Sequence, residues 1–475
     1  MQRISLGTWL CCALVSTVAF AQTKPATSPT NIDGHWEGTI SAPGMPLAML
    51  IDIHRDGDSF SGRIDIPQQG AKDLKLESIQ IDGTHVTFGI RGIAGKPRFD
   101  GQLTDGKIAG TFKQGFMSVP FELGRDRVAA LSRPQEPKPP LPYKEQEVSY
   151  QHDGITFGGT LTLPTGKGPF PAALLITGSG QQDRDESLMG HRPFLIIADR
   201  LVRAGIAVLR VDDRGVGKST GNFTNATTED FAKDVEAGVH FLQTRSEIAP
   251  QKIGLIGHSE GAVIAPLVAS RSKDVAFVIM LAGTGVPGDQ LLLVQNDRIS
   301  KASGASDQLI HDQHGALRAV MDELMRGGDE AALKLKVREL LKTQIAASAS
   351  VGPSDAEMDQ LMSESMKELS SKWFRFFIAY DPRPALRKVK VPVLALNGEK
   401  DTQVDADQNS PEIQKVLADA GNTDVTVKKI PGVNHLFQTC TSGSPREYGM
   451  INETISEDVL KLMSEWITKR FGAGG

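Results

Sequence analysis

Gly257-His258-Ser259-Glu260-Gly261 follows the apolar run Lys252–Ile256 and precedes the small-residue run Ala262–Leu267. The first run is typical of a buried strand and the second of a helix, so the five residues predict a strand-turn-helix junction. Its two glycines allow a turn so tight that the serine hydroxyl stands exposed at the sheet edge, with the N–H of Glu260 free to bind an oxyanion. Ser259 is therefore the candidate nucleophile. The competing interpretation is a glycine-rich surface turn.

A serine nucleophile needs an imidazole that takes its proton and a carboxylate that orients the imidazole. In an open parallel sheet both follow the serine along the chain, each past the carboxyl end of a strand. The apolar run Val391–Leu396 leads to Asp401, and the strand-like run Asp424–Ile430 leads to His435, the only histidine after His314. We therefore predict Asp401 as the acid and His435 as the base. Asp405 and Asp407 remain rival acids.

A second oxyanion donor is expected in the loop after an earlier strand. The run Pro171–Ile176 is such a strand, and Thr177-Gly178-Ser179-Gly180 follows it. Glycines in this loop allow backbone N–H groups to face the nucleophile, which makes the Ser179 N–H the second candidate donor. The alternative is an ordinary glycine-rich turn.

These blocks occur in the order of a known superfamily. Together with Gly178–Glu186, Asp212–Ser219, Asn397–Asp401 and Asn434-His435, the elbow at Ser259 resembles the α/β-hydrolase superfamily. Within it, the chain is similar to secreted bacterial serine esterases related to the serine-aminopeptidase-like and dienelactone-hydrolase-like branches. The resemblance spans about Tyr143 to Phe471 and implies a mostly parallel sheet, a helical lid and an acyl-enzyme mechanism. The family often has His-Gly before the oxyanion loop, where this chain has Thr177-Gly178.

Other charged motifs have more ordinary interpretations. Gly215-Val216-Gly217-Lys218-Ser219-Thr220 ends like a phosphate-binding loop, but that motif requires glycine where Asp212 stands. The resemblance implies a structural turn in which Asp213 and Arg214 form a local ion pair. The segment Asp183-Arg184-Asp185 is expected to brace the oxyanion loop or to contact substrate.

Two further sets of potential metal ligands or nucleophiles are set aside. His311 and His314 lie three apart on a predicted helix, and no neighbouring cysteine or carboxylate cluster completes a metal site. Cys440 follows His435 outside any elbow, so it is a weak rival nucleophile. The predicted mechanism requires neither a metal nor an organic cofactor.

The N-terminus predicts export. Arg3, the apolar stretch Leu10–Phe20 and Ala19-Phe20-Ala21 indicate a signal peptide over residues 1–21, which places the mature protein in the periplasm or outside the cell. No other stretch is long and apolar enough to span a membrane. The net charge of -5 argues against nucleic-acid binding. Without Cys11 and Cys12, only Cys440 remains, so no internal disulfide is expected.

The length of 475 residues predicts more than one domain. Residues 32–125 alternate short apolar runs with the turns Asp56-Gly57, Asp82-Gly83 and Asp105-Gly106, which indicates an antiparallel β-domain, either a sandwich or an open barrel. Its expected core includes four aromatic residues: Trp36, Phe60, Phe112 and Phe116. Residues 126–142 are interpreted as a proline-rich, extended linker, and residues 143–473 as the hydrolase domain.

A helical lid is expected at about 285–385, because Leu309–Met325, Ala331–Ile345 and Met358–Tyr380 show helical periodicity. Its aromatic side chains either line an acyl pocket or pack the lid against the core: Trp373, Phe374, Phe376 and Phe377.

The functional prediction is a serine hydrolase that cleaves small carboxylic esters through an acyl-enzyme. A peptidase or amidase of the same fold is one alternative. A surface-binding or glycan-binding protein with a silent hydrolase core is another. The sequence leaves the acyl and alcohol specificity and the oligomeric state open.

Overall fold

The fold is described from a computed structural model, over residues 32–42, 45–57, 59–66, 71–93, 95–115, 117–125, 133–346 and 353–472. The predicted signal peptide, Phe116 and the linker residues 126–132 lie outside the described residues. Among the helices that the structure describes, none is long and apolar enough to cross a membrane.

The first domain is a closed antiparallel barrel of eight strands in sequential order, since β1 pairs with both β2 and β8. This corrects the expectation of a sandwich or an open barrel. Asp105 and Gly106 both have positive φ, 51° and 77°, as a tight hairpin between twisted strands requires. The strands are β1 (Gly34–Ala42), β2 (Met45–Asp56), β3 (Ser59–Ile66), β4 (Ala71–Asp82), β5 (His85–Ile90), β6 (Arg98–Thr104), β7 (Lys107–Gln114) and β8 (Met117–Gly124).

Inward-facing aliphatic and aromatic side chains fill the barrel. Trp36 and Phe112 are buried there, as predicted, whereas Phe60 is only partly buried against the same core. The indole N–H of Trp36 donates to the Ile32 carbonyl oxygen over 2.8 Å, and the Arg125 guanidinium lies over its ring. The interior of this barrel is therefore a packed core.

The second domain is built on an eight-stranded sheet of spatial order β16-β15-β14-β13-β11-β12-β10-β9. Strands β11 to β16 run parallel, whereas β10 is antiparallel to both β9 and β12. The strands are β9 (Lys144–His152), β10 (Ile155–Leu163), β11 (Phe170–Ile176), β12 (Ala207–Val211), β13 (Ile248–His258), β14 (Phe277–Leu281), β15 (Val393–Gly398) and β16 (Val425–Ile430). Because β13, β15 and β16 are parallel, the segments after them emerge at one edge of the sheet.

Helices cover both faces of this sheet. Helices α2 (Thr228–Gln243), α3 (Gly261–Ala269) and α10 (Ala406–Asp419) bury their apolar stripes on one face, and α1 (Pro193–Arg203) and α11 (Glu457–Phe471) bury theirs on the other. This two-faced covering is why the central strands are continuously apolar.

In the region predicted as the lid, the described residues between β14 and β15 form five helices with a small core of their own. They are α4 (Gly288–Ala302), α5 (Asp307–Met325), α6 (Glu330–Ala346), α7 (Asp355–Leu369) and α8 (Lys372–Ala379), and a single turn, α9 (Arg383–Leu386), leads back to the sheet. The predicted helix Met358–Tyr380 is two helices, because the hydroxyl of Ser371 accepts the Phe374 N–H and starts a new N-terminus there.

The described part of the linker is held against the second domain. Arg133 donates to the carbonyl oxygens of Gly449 and Ile451, over 3.0 and 2.9 Å, and Gln135 donates to that of Ile455 over 2.7 Å. A short 3-10 helix, η1 (Pro445–Met450), lies in this region. These hydrogen bonds therefore hold the linker, from residue 133 onward, against the second domain.

Candidate active site

Ser259 lies in the turn between β13 and α3 with a φ of 54°, a value rare for a residue with a side chain. A Cβ atom on Gly257 would approach the Gly261 carbonyl oxygen to 1.9 Å, and one on Gly261 would approach the Ile176 carbonyl oxygen to 2.1 Å. Both glycines are therefore obligatory, since any side chain would force the turn open. The backbone has the form of a nucleophile elbow.

His435 and Asp401 lie together, as the sequence predicts. The imidazole Nδ1 of His435 is 2.9 Å from Asp401 Oδ2, and both side chains are almost fully buried. The other carboxylate oxygen of Asp401 accepts the N–H groups of Gln403 and Val404, each over 2.8 Å. These bonds fix the carboxylate, which in turn fixes the imidazole with Nε2 pointing away from Asp401.

The rival acids are engaged elsewhere. Asp405 caps α10 by accepting the Gln408 N–H over 2.9 Å and forms an ion pair with Arg298 of the lid over 2.7 Å. Asp407 accepts from Lys429 over 2.7 Å. The structure thus brings only Asp401, of the three, to His435.

His258, the residue before Ser259, lies beside the pair of His435 and Asp401. The rings of His258 and His435 have centroids 4.8 Å apart. Within the described residues, no hydrogen bond joins the Ser259 hydroxyl to His435. Catalytic hydrogen bonds of this kind are often long in ligand-free enzymes and tighten when substrate binds.

The two candidate oxyanion donors belong to the elbow itself and to the loop after β11. Within residues 133–346 and 353–472, neither the Glu260 N–H nor the Ser179 N–H donates a hydrogen bond. The preceding Gly178 N–H is already taken, since it donates to Glu186 Oε1 over 2.7 Å. A Cβ atom on Gly178 would lie 3.2 Å from the Cβ of Ser259, so the loop passes directly beside the nucleophile. This geometry suits an oxyanion hole.

The side chain of Glu260 is a buried carboxylate held by neutral donors. Thr228 Oγ1 and Trp373 Nε1 both donate to Glu260 Oε1, over 2.7 and 2.9 Å, and the Ser179 hydroxyl also donates to this carboxylate. Burial raises the pKa of Glu260, and these three hydrogen bonds oppose the rise. Since Trp373 belongs to α8, this contact ties the lid to the residue after the nucleophile.

A cavity of about 60 Å³ adjoins the oxyanion loop. It is lined by the loop glycines, by Asp213, Arg214 and Glu260, and by apolar side chains that include Phe157, Phe223, Phe231 and Ile264. The lid aromatics do not line it. Trp373 stacks on Phe377, Phe374 belongs to the core of the lid, and Phe376 stacks on Tyr380. These contacts favour the packing interpretation of the four aromatic residues.

The predicted ion pair between Asp213 and Arg214 is wrong. Asp213 accepts from the Thr177 hydroxyl over 2.8 Å and from the Gln182 N–H over 2.9 Å, and burial raises its pKa well above the usual value. Arg214 instead donates to Asp234 of α2 over 2.7 Å. The partners of the two side chains lie on different elements, the oxyanion loop for Asp213 and α2 for Arg214, which separates the two charges.

The segment Asp183-Arg184-Asp185 braces the oxyanion loop. The guanidinium of Arg184 donates twice to Asp212, over 3.0 and 2.8 Å. Asp183 accepts the N–H groups of Asp185 and Ser187, both over 3.0 Å, while Asp185 pairs with Arg210. The loop is therefore anchored to β12 and to the turn after it.

Two functional candidates escaped sequence reasoning, namely Glu186 and His258. His258 Nδ1 lies 3.0 Å from Glu186 Oε1, and its Nε2 lies 3.0 Å from the carbonyl oxygen of His435. The only local signal was the position of His258 inside the elbow. Nothing in the linear order indicates that Glu186, 72 residues earlier, is its partner.

Among the described residues, no group of three or more His, Cys, Asp and Glu side chains could hold a metal ion. His311 is exposed, and His314 Nδ1 lies 2.8 Å from Asp297 within the lid. Burial raises the pKa of the Cys440 thiol to about 11, which makes it a poor nucleophile.

Comparison with known proteins places this site in a family. Residues 193–439, which include Ser259, Asp401 and His435, match the family described as serine aminopeptidase, S33. Esterase EstD of Thermotoga maritima is 26% identical over 365 residues, which cover 75% of this chain and 78% of that protein. An esterase of Pyrococcus furiosus is 18% identical, with a TM-score of 0.42 over 73% of this chain and 97% of that one. A dienelactone hydrolase of Anabaena variabilis is 16% identical, with a TM-score of 0.38 over 69% and 98%. With more than half of its length matched by the family, the chain belongs to the serine aminopeptidase S33 family of α/β-hydrolases.

Proposed function

We propose that this protein hydrolyses small carboxylic esters through an acyl-enzyme formed on Ser259. The observation that supports this most directly is the buried pair of His435 and Asp401, 2.9 Å apart, next to a strained serine elbow. The buried pair supplies a candidate base, and the elbow supplies a backbone shaped for attack by its serine.

The chemistry follows from the roles that these groups can take. Ser259 Oγ attacks the ester carbonyl carbon while His435 accepts its proton, and Asp401 stabilises the imidazolium that forms. The N–H groups of Glu260 and Ser179 stabilise the tetrahedral oxyanion. His435 then protonates the leaving alcohol, and the same groups activate a water molecule that hydrolyses the acyl-enzyme. No step requires a chemical group other than those named above.

An ester substrate is supported by the name of a relative, Esterase EstD, which aligns over three quarters of the chain. The family description, serine aminopeptidase, favours an amide substrate as the second candidate. A side-by-side panel of acyl esters and aminoacyl amides separates the two. We expect kcat/KM for esters to exceed that for amides of the same acyl group, and the reverse order would support the peptidase.

The catalytic role of Ser259 is tested by covalent labelling. A fluorophosphonate should label the wild-type protein, and Ser259→Ala should abolish both labelling and ester turnover while the unfolding free energy stays close to wild type. A wild-type protein that neither reacts with the probe nor hydrolyses any ester would instead support the silent, binding-only alternative.

We also propose export by the N-terminal segment, because Arg3, the apolar stretch and Ala19-Phe20-Ala21 have the composition of a signal peptide. Fractionation of expressing cells and N-terminal sequencing of the exported protein test this. The expected mature terminus is Gln22, whereas retention of the full-length chain in the cytoplasm would contradict it.

A further inference from the structure

A second carboxylate and imidazole lie beside the proposed catalytic pair. Glu186 Oε1 accepts the Gly178 N–H over 2.7 Å and lies 3.0 Å from His258 Nδ1. On the opposite side of the ring, His258 Nε2 lies 3.0 Å from the main-chain oxygen of His435. A continuous chain of hydrogen bonds thus links the oxyanion loop, the elbow and the histidine loop.

We propose that Glu186 and His258 form a carboxylate–imidazolium pair that positions His435 and the oxyanion loop relative to Ser259. The proposal rests on the proposed function, because it assigns these two residues to the same reaction. Both act through other groups and touch no reacting atom, so they are positioning residues.

The protonation of His258 follows from its partners. A main-chain carbonyl oxygen can only accept, so Nε2 must carry a proton, and an ionised carboxylate at Nδ1 requires a second proton there. Burial disfavours the charged ring, but the charge and hydrogen bond of Glu186 outweigh it and raise the pKa of His258. Asp401 acts in the same direction.

The surroundings leave His258 no other polar partner within the described residues. Besides Glu186, the small space beside its ring is bounded by apolar side chains: Pro193, Phe194, Ile197, Leu281, Leu436, Phe437 and Ile455. The side chains of His258 and Glu186 are 8% and 6% exposed. Water therefore competes little for these bonds, which makes the pair rigid.

Two carboxylates hold different parts of His435 in place. Asp401 orients the ring through Nδ1, whereas Glu186 fixes the main chain through His258. Because Glu186 Oε1 also holds Gly178, a single oxygen couples the position of the base to that of the oxyanion donors. A displacement of about 1 Å in either is enough to cost on the order of a hundredfold in rate.

The test compares two substitutions at His258 that keep different hydrogen bonds. His258→Asn keeps an amide donor near the former Nδ1, toward Glu186, and loses the bond to the His435 oxygen. His258→Gln places its amide near the former Nε2 and keeps that bond. Glu186→Gln removes the charge with little change in shape. The matched control is His191→Asn, since His191 is another buried histidine that bonds to a main-chain oxygen, that of Tyr448, over 2.8 Å.

Two readouts are measured for every variant: kcat and KM on an ester, and the rate of fluorophosphonate labelling from pH 5 to 9. We expect His258→Asn to lower kcat and the labelling rate about tenfold to a hundredfold with little change in KM. Its labelling midpoint should move to higher pH by about one unit, because Glu186 is left unbalanced near His435. His258→Gln should lose less than tenfold, and Glu186→Gln about tenfold.

The control should lower thermal stability while its labelling midpoint stays at the wild-type pH. The proposal is overturned if folded His258→Asn and Glu186→Gln both label at the wild-type rate, or if His191→Asn shifts the midpoint as far as His258→Asn does. Failure of the proposed function looks different, because the wild-type protein itself would then neither label nor turn over esters.

Discussion

Trp373→Phe should loosen the lid at the point where it meets the nucleophile. The substitution keeps an aromatic ring that can stack on Phe377, whose centroid lies 5.3 Å away, and removes the smaller ring of the indole together with the N–H that donates to Glu260 over 2.9 Å. A buried acceptor that loses its donor costs about 1–3 kcal/mol. Taking about 2 kcal/mol, the ratio of docked to undocked lid should fall about thirtyfold.

The assay is hydrogen exchange of peptides from α8, with kcat/KM measured in parallel. Trp466→Phe is the matched control, because within the described residues the Trp466 Nε1 is buried without a hydrogen-bond partner. Both substitutions remove the same atoms, so the difference between them isolates the bond. Exchange in α8 should accelerate in Trp373→Phe and remain at the wild-type rate in Trp466→Phe. Equal protection in both variants would refute the idea that this bond holds the lid.

Three further perturbations test the remaining geometry. Asp401→Asn should lower kcat by about four orders of magnitude, whereas Asp405→Asn should preserve turnover on the same ester; equal losses would contradict the choice of acid. Gly178→Ala should slow fluorophosphonate labelling at least about tenfold, because its Cβ would lie 3.2 Å from that of Ser259 and 3.3 Å from Glu186 Oε1. Burial lowers the pKa of His191 from 6.5 to about 4, so between these values only the unfolded chain takes up the proton and stability falls as the pH falls. His191→Asn should remove up to about 3 kcal/mol of that acid sensitivity, measured by urea unfolding at pH 7 and pH 4.5.

The parts of the site that the sequence predicts are those fixed by local backbone rules. The elbow is recognisable because Gly257 and Gly261 flank the serine, and a Cβ atom on Gly257 would approach the carbonyl oxygen of Gly261, in the same turn, to 1.9 Å. Asp401 and His435 follow from the rule that parallel strands end at one edge. Each inference needs only a strand, its end and a residue of the required type in the loop that follows.

The parts that escaped prediction depend on contacts between distant segments. Closure of the barrel requires β1 to pair with β8, and no pattern within either strand specifies that partner. Arg214 reaches Asp234 on a helix and not its neighbour Asp213, whose own partners lie in the oxyanion loop. Sequence order could offer only the adjacent residue as a partner.

The charge distribution around His435 explains why Glu186 and His258 belong together. During acylation His435 gains a positive charge, and the His258 ring is 4.8 Å away. An unbalanced imidazolium at that distance would oppose the new charge by about 3 kcal/mol at an effective dielectric constant of 20, which is about a hundredfold in rate. A neutral His258 with an ionised Glu186 would lose one of its two bonds, since one ring nitrogen would then lack a proton. The ion pair satisfies both requirements, because Glu186 supplies the acceptor for the second proton and also the negative charge that offsets it.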